Sequence, residues 1–351
     1  MKMPTAIICL SPYSGGMEID SIKLAKKLSN TMQITLIAKS GCFIASKKEE
    51  LLQYNINLET ISFKSSLGLS IIINARNIIK KYGIKNVIFF GASELKSLYF
   101  SFLGLDINLI VRHGTTKSKP KKDWFHKLIY STVNYHVSIC KHLEKNVNYI
   151  IPFGENTKSK LIYSSFDFQE PVHNKQDRVT LLHTGRIANG KGQIDAIKAC
   201  EILVKNNIEF QLLLVGGYDE NFKNDFLTFY ENCTYKENIK LVGFSNDVRS
   251  YIQISEIFLF PSYGEGLSNA FLEAIANNLV CISYSNTSFP ELKELGLEFI
   301  MAKDKDINDL QEKLLEVVQN IDKENAKQNY TLTKNLFSLQ KEIDNYMEIL
   351  R

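Results

Sequence analysis

Short apolar runs that end in turn residues alternate along this chain with segments whose apolar residues recur at helical spacing. That alternation constrains the fold more than any other feature, because it is the pattern of parallel βα units. Ala6–Leu10 reads as a strand leading into a Ser/Pro/Gly loop, after which Ile19, Ile22, Ala25 and Leu28 follow at helical spacing. Strands are predicted at Ile34–Ala38, Val87–Gly91 and Leu109–Val111. The pattern restarts at Val179–His183, with a Gly-containing loop, a helix at about Gln193–Lys205 and a strand at Phe210–Val215 ending in Gly216-Gly217. Strands at Lys240–Val242 and Ile257–Phe260 complete it. At roughly 150 residues per domain, the chain of 351 residues has room for two. The expected class is α/β, with two consecutive Rossmann-like, doubly wound domains at 1–170 and 171–335 joined by the polar stretch Phe166–Arg178.

The longest apolar runs fall well short of the ~18 residues that span a bilayer, and the run after Lys2 is too short for a signal-peptide core. A cytoplasmic location is therefore expected. Cys9, Cys42, Cys140, Cys200, Cys233 and Cys281 are scattered singly, without metal-ligand spacing, and read as reduced, mostly buried residues. Charge is uneven: residues 1–170 carry 23 Lys/Arg against 12 Asp/Glu, and residues 171–351 carry 19 against 26. A basic N-terminal half implies an anionic partner such as lipid headgroups or a phosphorylated glycan. Nucleic acid fits less well, since no binding motif or interleaved aromatic platform accompanies the charge. The densest basic run, Lys117-Ser118-Lys119-Pro120-Lys121-Lys122-Asp123-Trp124-Phe125, suits contact with an anionic membrane surface.

Ligands of open parallel sheets sit beyond the carboxyl ends of the strands. The segment Phe260-Pro261-Ser262-Tyr263-Gly264-Glu265-Gly266-Leu267-Ser268-Asn269-Ala270-Phe271-Leu272-Glu273-Ala274 joins a strand to a helix there. Ser268 or Asn269 can cap the helix, and the amides around Leu267, Ser268 and Asn269 could then hold a phosphate. Glu265 and Glu273, with seven residues between them, can address opposite ends of an elongated ligand. This stretch resembles the donor-site signature of family 4 of the retaining glycosyltransferases. The resemblance covers the chain from Ser11 to about Glu294 and implies the B-type glycosyltransferase fold (GT-B), two Rossmann-like domains facing across a cleft. It also implies that Glu273 binds the ribose hydroxyls of a nucleotide-sugar and that Glu265 contacts the sugar. The tail at about 336–351, with Phe337, Ile343, Tyr346 and Met347 at helical spacing, looks like the helix that in this fold returns to the first domain.

Gly185-Arg186-Ile187-Ala188-Asn189-Gly190-Lys191-Gly192 follows the first strand of the second domain. The resemblance places Arg186 and Lys191 on the diphosphate, where fixed cations stabilise a departing nucleoside diphosphate. In Ser14-Gly15-Gly16-Met17-Glu18, Gly15 and Gly16 would let backbone approach the diphosphate. Gly217 and Phe244 stand where family members line the nucleotide site, with Phe244 near the base. His113 is expected on a loop after a strand, against the transferred sugar. Ile162–Asp167 resembles the family's hinge segment, with Ser164-Ser165 in place of Asn-Gly.

No Ser-His-Asp set, no metal cluster and no D-x-D acidic pair that would hold a metal on a diphosphate is expected, so metal-independent transfer without a resident cofactor is expected. The family implies retention of anomeric configuration, with a UDP-sugar as default donor and a glycan or glycolipid as acceptor. Cell-surface polysaccharide or lipopolysaccharide assembly at the inner face of the cytoplasmic membrane is the expected setting. The alternatives are a nucleotide-sugar epimerase of the same fold, or a noncatalytic glycan- or nucleotide-binding protein.

Overall fold

The computed structural model describes residues 2–166, 168–174, 176–320 and 324–350. The chain divides into two units, Met1–Ser164 with Leu339–Arg351, and Ser165–Ser338.

In the first unit seven strands, β1 (Met3–Cys9), β2 (Met32–Lys39), β3 (Asn57–Ile61), β4 (Asn86–Phe90), β5 (Asn108–His113), β6 (Tyr135–Ser138) and β7 (Lys158–Leu161), form one parallel sheet ordered β3-β2-β1-β4-β5-β6-β7. Ala6, Ile7, Ile8 and Cys9 of β1 are all inaccessible, as expected where helices cover both faces of a parallel sheet. The helix Gly16–Ser29 buries Ile22, Ala25 and Leu28 on one face, and the helices Leu69–Lys81 and Leu95–Phe102 pack on the other. The last helix, Leu339–Ile349, sends Tyr346 and Ile349 into the first face's core. Polar contacts fix it there: Asn108 Nδ2 donates to the Ile349 carbonyl at 2.8 Å, and Lys27 pairs with the buried Glu342 at 2.8 Å. Phe337, which shares its helical spacing, belongs to the second unit.

The second unit holds β8 (Val179–Thr184), β9 (Phe210–Val215), β10 (Ile239–Gly243), β11 (Ile257–Phe260), β12 (Val280–Tyr284) and β13 (Ile300–Ala302), parallel and ordered β10-β9-β8-β11-β12-β13. The chain runs outward from β8 through β9 to β10, then crosses to the other side of β8 to begin β11. This reversal is the topological switch point, and it opens a crevice at the carboxyl ends of β8 and β11.

The stretch predicted as a connector is laid along the second unit. Asn174 N donates to the Gln253 carbonyl at 2.7 Å, and Arg249 and Tyr330 both donate to Glu170 at 2.9 Å. Asp167 and Lys175 lie outside the described residues. Among the described residues, no helix is long and apolar enough to cross a membrane.

Candidate active site

The loops after β8 and β11 meet at the switch point of the second sheet. Lys191, just before the helix Gln193–Lys205, donates from Nζ to both carboxylate oxygens of Glu265, at 2.8 and 3.1 Å. Glu265 is held from two further sides. Ser262, fully buried, donates from Oγ to Oε1 at 2.8 Å, and the Glu265 amide donates to Thr287 Oγ1 at 3.1 Å. Thr287 has φ +45°, a region a β-branched residue seldom occupies. Its hydroxyl also donates to Asn286 Oδ1 at 3.1 Å, which anchors that turn.

Backbone contacts bring these loops together, and two glycines make the approach feasible. Gly192 has φ +84°, and a Cβ there would lie 2.2 Å from the Pro261 carbonyl oxygen. A Cβ at Gly216 would lie 1.9 Å from the Gly185 carbonyl oxygen. Tyr263 N donates to the Gly190 carbonyl at 2.9 Å, and Ile187 N to that of Gly217 at 2.8 Å. Beneath them, His183 at the end of β8 is buried, and that burial lowers its pKa to about 4. The ring is therefore neutral near pH 7, with Nε2 2.9 Å from the Lys191 carbonyl, which accepts its proton.

Arg186 is two-thirds exposed, with Nη1 3.5 Å from Asp219 Oδ2. Gly217 adjoins Phe244, whose ring follows β10 and is 77% exposed. Ser268 caps the helix Asn269–Ala276, accepting from Phe271 N at 3.3 Å, because its side chain replaces the missing intrahelical acceptor. Leu267 is buried, Asn269 is exposed at the first helical position, and Glu273 is half-buried one turn further on. The second unit thus gathers Arg186, Lys191, Gly217, Phe244, Glu265, Leu267, Ser268, Asn269 and Glu273 on loops and a helix start at the carboxyl edge of its sheet. Cations, a carboxylate, close backbone and an exposed ring stand together there, a set chemically suited to an anionic ligand that also carries hydroxyl groups.

The remaining predicted residues belong to the first unit. Gly15 caps the helix Gly16–Ser29 at the end of β1, where a Cβ would sit 3.2 Å from Glu18 Oε2, whereas one on Gly16 would meet open space. The expectation for His113 needs correction. It is the last residue of β5 rather than a loop residue, only 2% exposed, with Nε2 2.8 Å from His136 Nδ1. Burial, then the neighbouring His136, holds its pKa well below the ordinary histidine value. The strand continues through Arg112-His113 because both polar side chains find internal partners: Arg112 pairs with Asp20 and donates to Ser164 Oγ at 2.7 Å.

Several supporting residues were not anticipated: Ser262, Thr287, His183 and above all Asp195. Asp195 Oδ2 accepts from Tyr284 OH at 2.7 Å and from Tyr263 OH at 3.1 Å, linking the helix after Lys191 to the loop of Glu265. Contrary to the expected absence of a D-x-D pair, Asp304-Lys305-Asp306 has that spacing. Asp304 accepts from Asn286 Nδ2 at 2.6 Å, and Asp306 caps the helix Ile307–Gln319. Among the described residues, no group of three His, Cys, Asp or Glu side chains could hold a metal ion.

Residues 165–333 match the family model described as Glycosyl transferases group 1. The capsular polysaccharide biosynthesis glycosyltransferase CapH of Staphylococcus aureus is 25% identical over 283 residues, covering 77% of this chain and 78% of its own. A glycosyltransferase from Rickettsia africae superposes with a TM-score of 0.83 at 18% identity, over 99% of this chain and 97% of its own. Anabaena HepE, crystallised with UDP, superposes with a TM-score of 0.80 at 15% identity, over 99% of both chains. This chain shares their fold, the B-type glycosyltransferase fold.

Proposed function

We propose that this chain, whose residues 165–333 match the glycosyl transferases group 1 family model, transfers a hexose or N-acetylhexosamine, with retention, from a UDP-sugar to a glycan or glycolipid in bacterial surface polysaccharide assembly. The observation that carries this reading is the Lys191–Glu265 pair at the switch point of the second sheet, 2.8 Å apart. In a nucleotide-sugar complex the two charges part ways, Lys191 going to the diphosphate and Glu265 to the sugar hydroxyls. The name of the staphylococcal relative supports the polysaccharide setting, and the neighbour crystallised with UDP supports that donor.

In this reading the bond from the anomeric carbon to the β-phosphate oxygen breaks as the acceptor hydroxyl attacks on the same face. The acceptor's proton passes to a β-phosphate oxygen, and the nucleoside diphosphate leaves carrying the bond's electron pair. Negative charge grows on the leaving group, where Arg186 and Lys191 counter it, together with the amide dipoles at the start of Asn269–Ala276. Glu265 orients the sugar, Glu273 anchors the ribose, and Phe244 with Gly217 borders the base. Buried His113 takes no part in this scheme.

Thermal-shift binding of UDP, GDP, ADP and TDP, each with and without EDTA, on the wild type and Glu273→Gln tests the donor site. Stabilisation by UDP, insensitive to EDTA and weakened in the variant, is expected. Stabilisation by none of the four would remove the reading. Retention is tested separately by NMR of the product, and an inverted anomeric centre would refute it.

A further inference from the structure

The first unit carries 25 Lys/Arg against 13 Asp/Glu, and part of that excess is concentrated in residues 117–122, between β5 and the helix Trp124–Tyr130. This strap is fastened to the helix Lys141–Ile150. Lys117 N donates to Asn146 Oδ1 and Asn146 Nδ2 to the Lys117 carbonyl, both at 2.9 Å, while Lys121 N donates to the Ile150 carbonyl at 2.9 Å. Its lysines are therefore presented from a fixed backbone. None of Lys117, Lys119, Lys121, Lys122 and Lys127 forms an ion pair with any described residue. The carboxylate inside the segment, Asp123, is already engaged by His126. Burial, then the charge of Lys121, lowers the pKa of Lys117, and burial, then Lys96, lowers that of Lys121. Such crowding of like charge is relieved by an external anion.

Aromatic and aliphatic side chains stand beside these charges. Asp123 caps the helix, and Phe125, Ile129 and Tyr130 pack into the core, which turns Trp124 outward at 76% exposure and Leu128, one turn on, at 39%. Tyr149 is 68% exposed, and Lys122 Nζ lies 5.0 Å from its ring centre. A single exposed aromatic residue is ordinary on a protein surface. A tryptophan and a tyrosine flanking unpaired lysines have the composition of a bilayer interface contact, where amphipathic rings sit at headgroup depth and ammonium groups meet lipid phosphates.

We propose that the face formed by the strap Lys117–Lys122 with Trp124, Leu128 and Tyr149 docks on the surface of an anionic lipid bilayer. The proposal stands apart from the glycosyl-transfer reading, since vesicle binding needs no turnover. Trp124 is the only tryptophan of the chain, so emission from the unmodified protein reports on this face alone. Vesicles of phosphatidylcholine with phosphatidylglycerol should shift the emission to the blue and sediment the protein. Phosphatidylcholine alone should do neither, and high salt should reverse both effects. Replacing Lys119 and Lys122 together by alanine should lower the vesicle partition coefficient about 25-fold, from roughly fivefold per lysine. Trp124→Ala should lower sedimentation without changing the circular dichroism spectrum. Failure of the wild type to bind anionic vesicles would overturn the proposal. So would the same blue shift produced by inorganic pyrophosphate without lipid, the mark of a free-anion site, or by raising protein concentration without lipid, the mark of self-association.

Discussion

The ammonium of Lys191 and the carboxylate of Glu265, 74 residues apart in sequence, form a two-pronged ion pair at 2.8 and 3.1 Å. Each group neutralises the other in this structure, and under the proposed function a ligand with an anionic and a hydroxyl-bearing end separates them. Lys191→Ala should lower kcat/KM about a hundredfold, equivalent to ~3 kcal/mol of barrier, as expected for loss of a cation facing a developing oxyanion. Its stability should change by no more than ~1 kcal/mol, because a pair whose ammonium is a third exposed is weak. Arg186→Ala should lose turnover similarly, while the exposed guanidinium leaves stability within ~0.5 kcal/mol of wild type. Wild-type turnover in either variant, measured beside its urea denaturation curve, would refute the assigned role.

Glycine substitutions in the same loops should fall into a graded order. Gly190→Ala meets only Tyr263 at 3.9 Å and bears the cost of φ +79° alone, about 1–2 kcal/mol. Gly192→Ala adds a collision with backbone, 2.2 Å from the Pro261 oxygen, and should cost roughly 3 kcal/mol or more while parting the loops of Lys191 and Glu265. Urea denaturation gives the order. Equal stability of the two variants would mean that the close approach is not maintained in solution.

The strand-to-helix loops carrying Lys191 and Glu265 were legible because glycine and polar residues interrupt strongly apolar runs there, and the helix at Gln193–Lys205 and the strand at Phe210–Val215 were legible from periodicity. The edge strands β3, with Asn57 and Glu59, and β7, with Lys158 and Lys160, were not, since a half-solvated edge carries too few apolar residues to stand out. The continuation of β5 through Arg112 and His113 was hidden for another reason. Those residues look like a cleft loop until Asp20, Ser164 and His136 are found beside them. Nothing local marks Asp195 as the partner of Tyr263 and Tyr284, 68 and 89 residues away.

Asp195 reads as a positioning residue, since one carboxylate oxygen ties the helix behind Lys191 to the Glu265 loop and to the end of β12. Asp195→Ala strands the hydroxyl of the buried Tyr284 and should cost about 2–3 kcal/mol of stability. It should also lower kcat/KM about tenfold or more, as small misplacements of catalytic groups do. Asp195→Asn keeps an oxygen able to accept from both tyrosines and should recover most of the activity. A variant pair with equal turnover would show that the bridge does not position the site.

The buried histidines make stability fall on mild acidification. His183 is lowered from 6.5 to about 4, chiefly by burial, and His136 to about 3 for the same reason. The unfolded chain therefore takes up protons between pH 6.5 and 4 that the folded chain refuses, so the stability present above pH 6.5 is lost as pH falls through that window. Between pH 7.5 and 5, His183 alone should account for about 2 kcal/mol. Glu50 and Glu59, whose pKa values lysine partners hold below 4.5, lose their contribution lower down and leave this range to the histidines. Urea denaturation of the wild type and His183→Gln at pH 7.5 and pH 5 measures the difference. The variant should be less stable than wild type at pH 7.5, where the ring's packing and its bond to the Lys191 carbonyl are lost, yet lose about 2 kcal/mol less on acidification. Parallel losses in the two proteins would mean that His183 titrates normally and that the loop of Lys191 is not closed over it in solution.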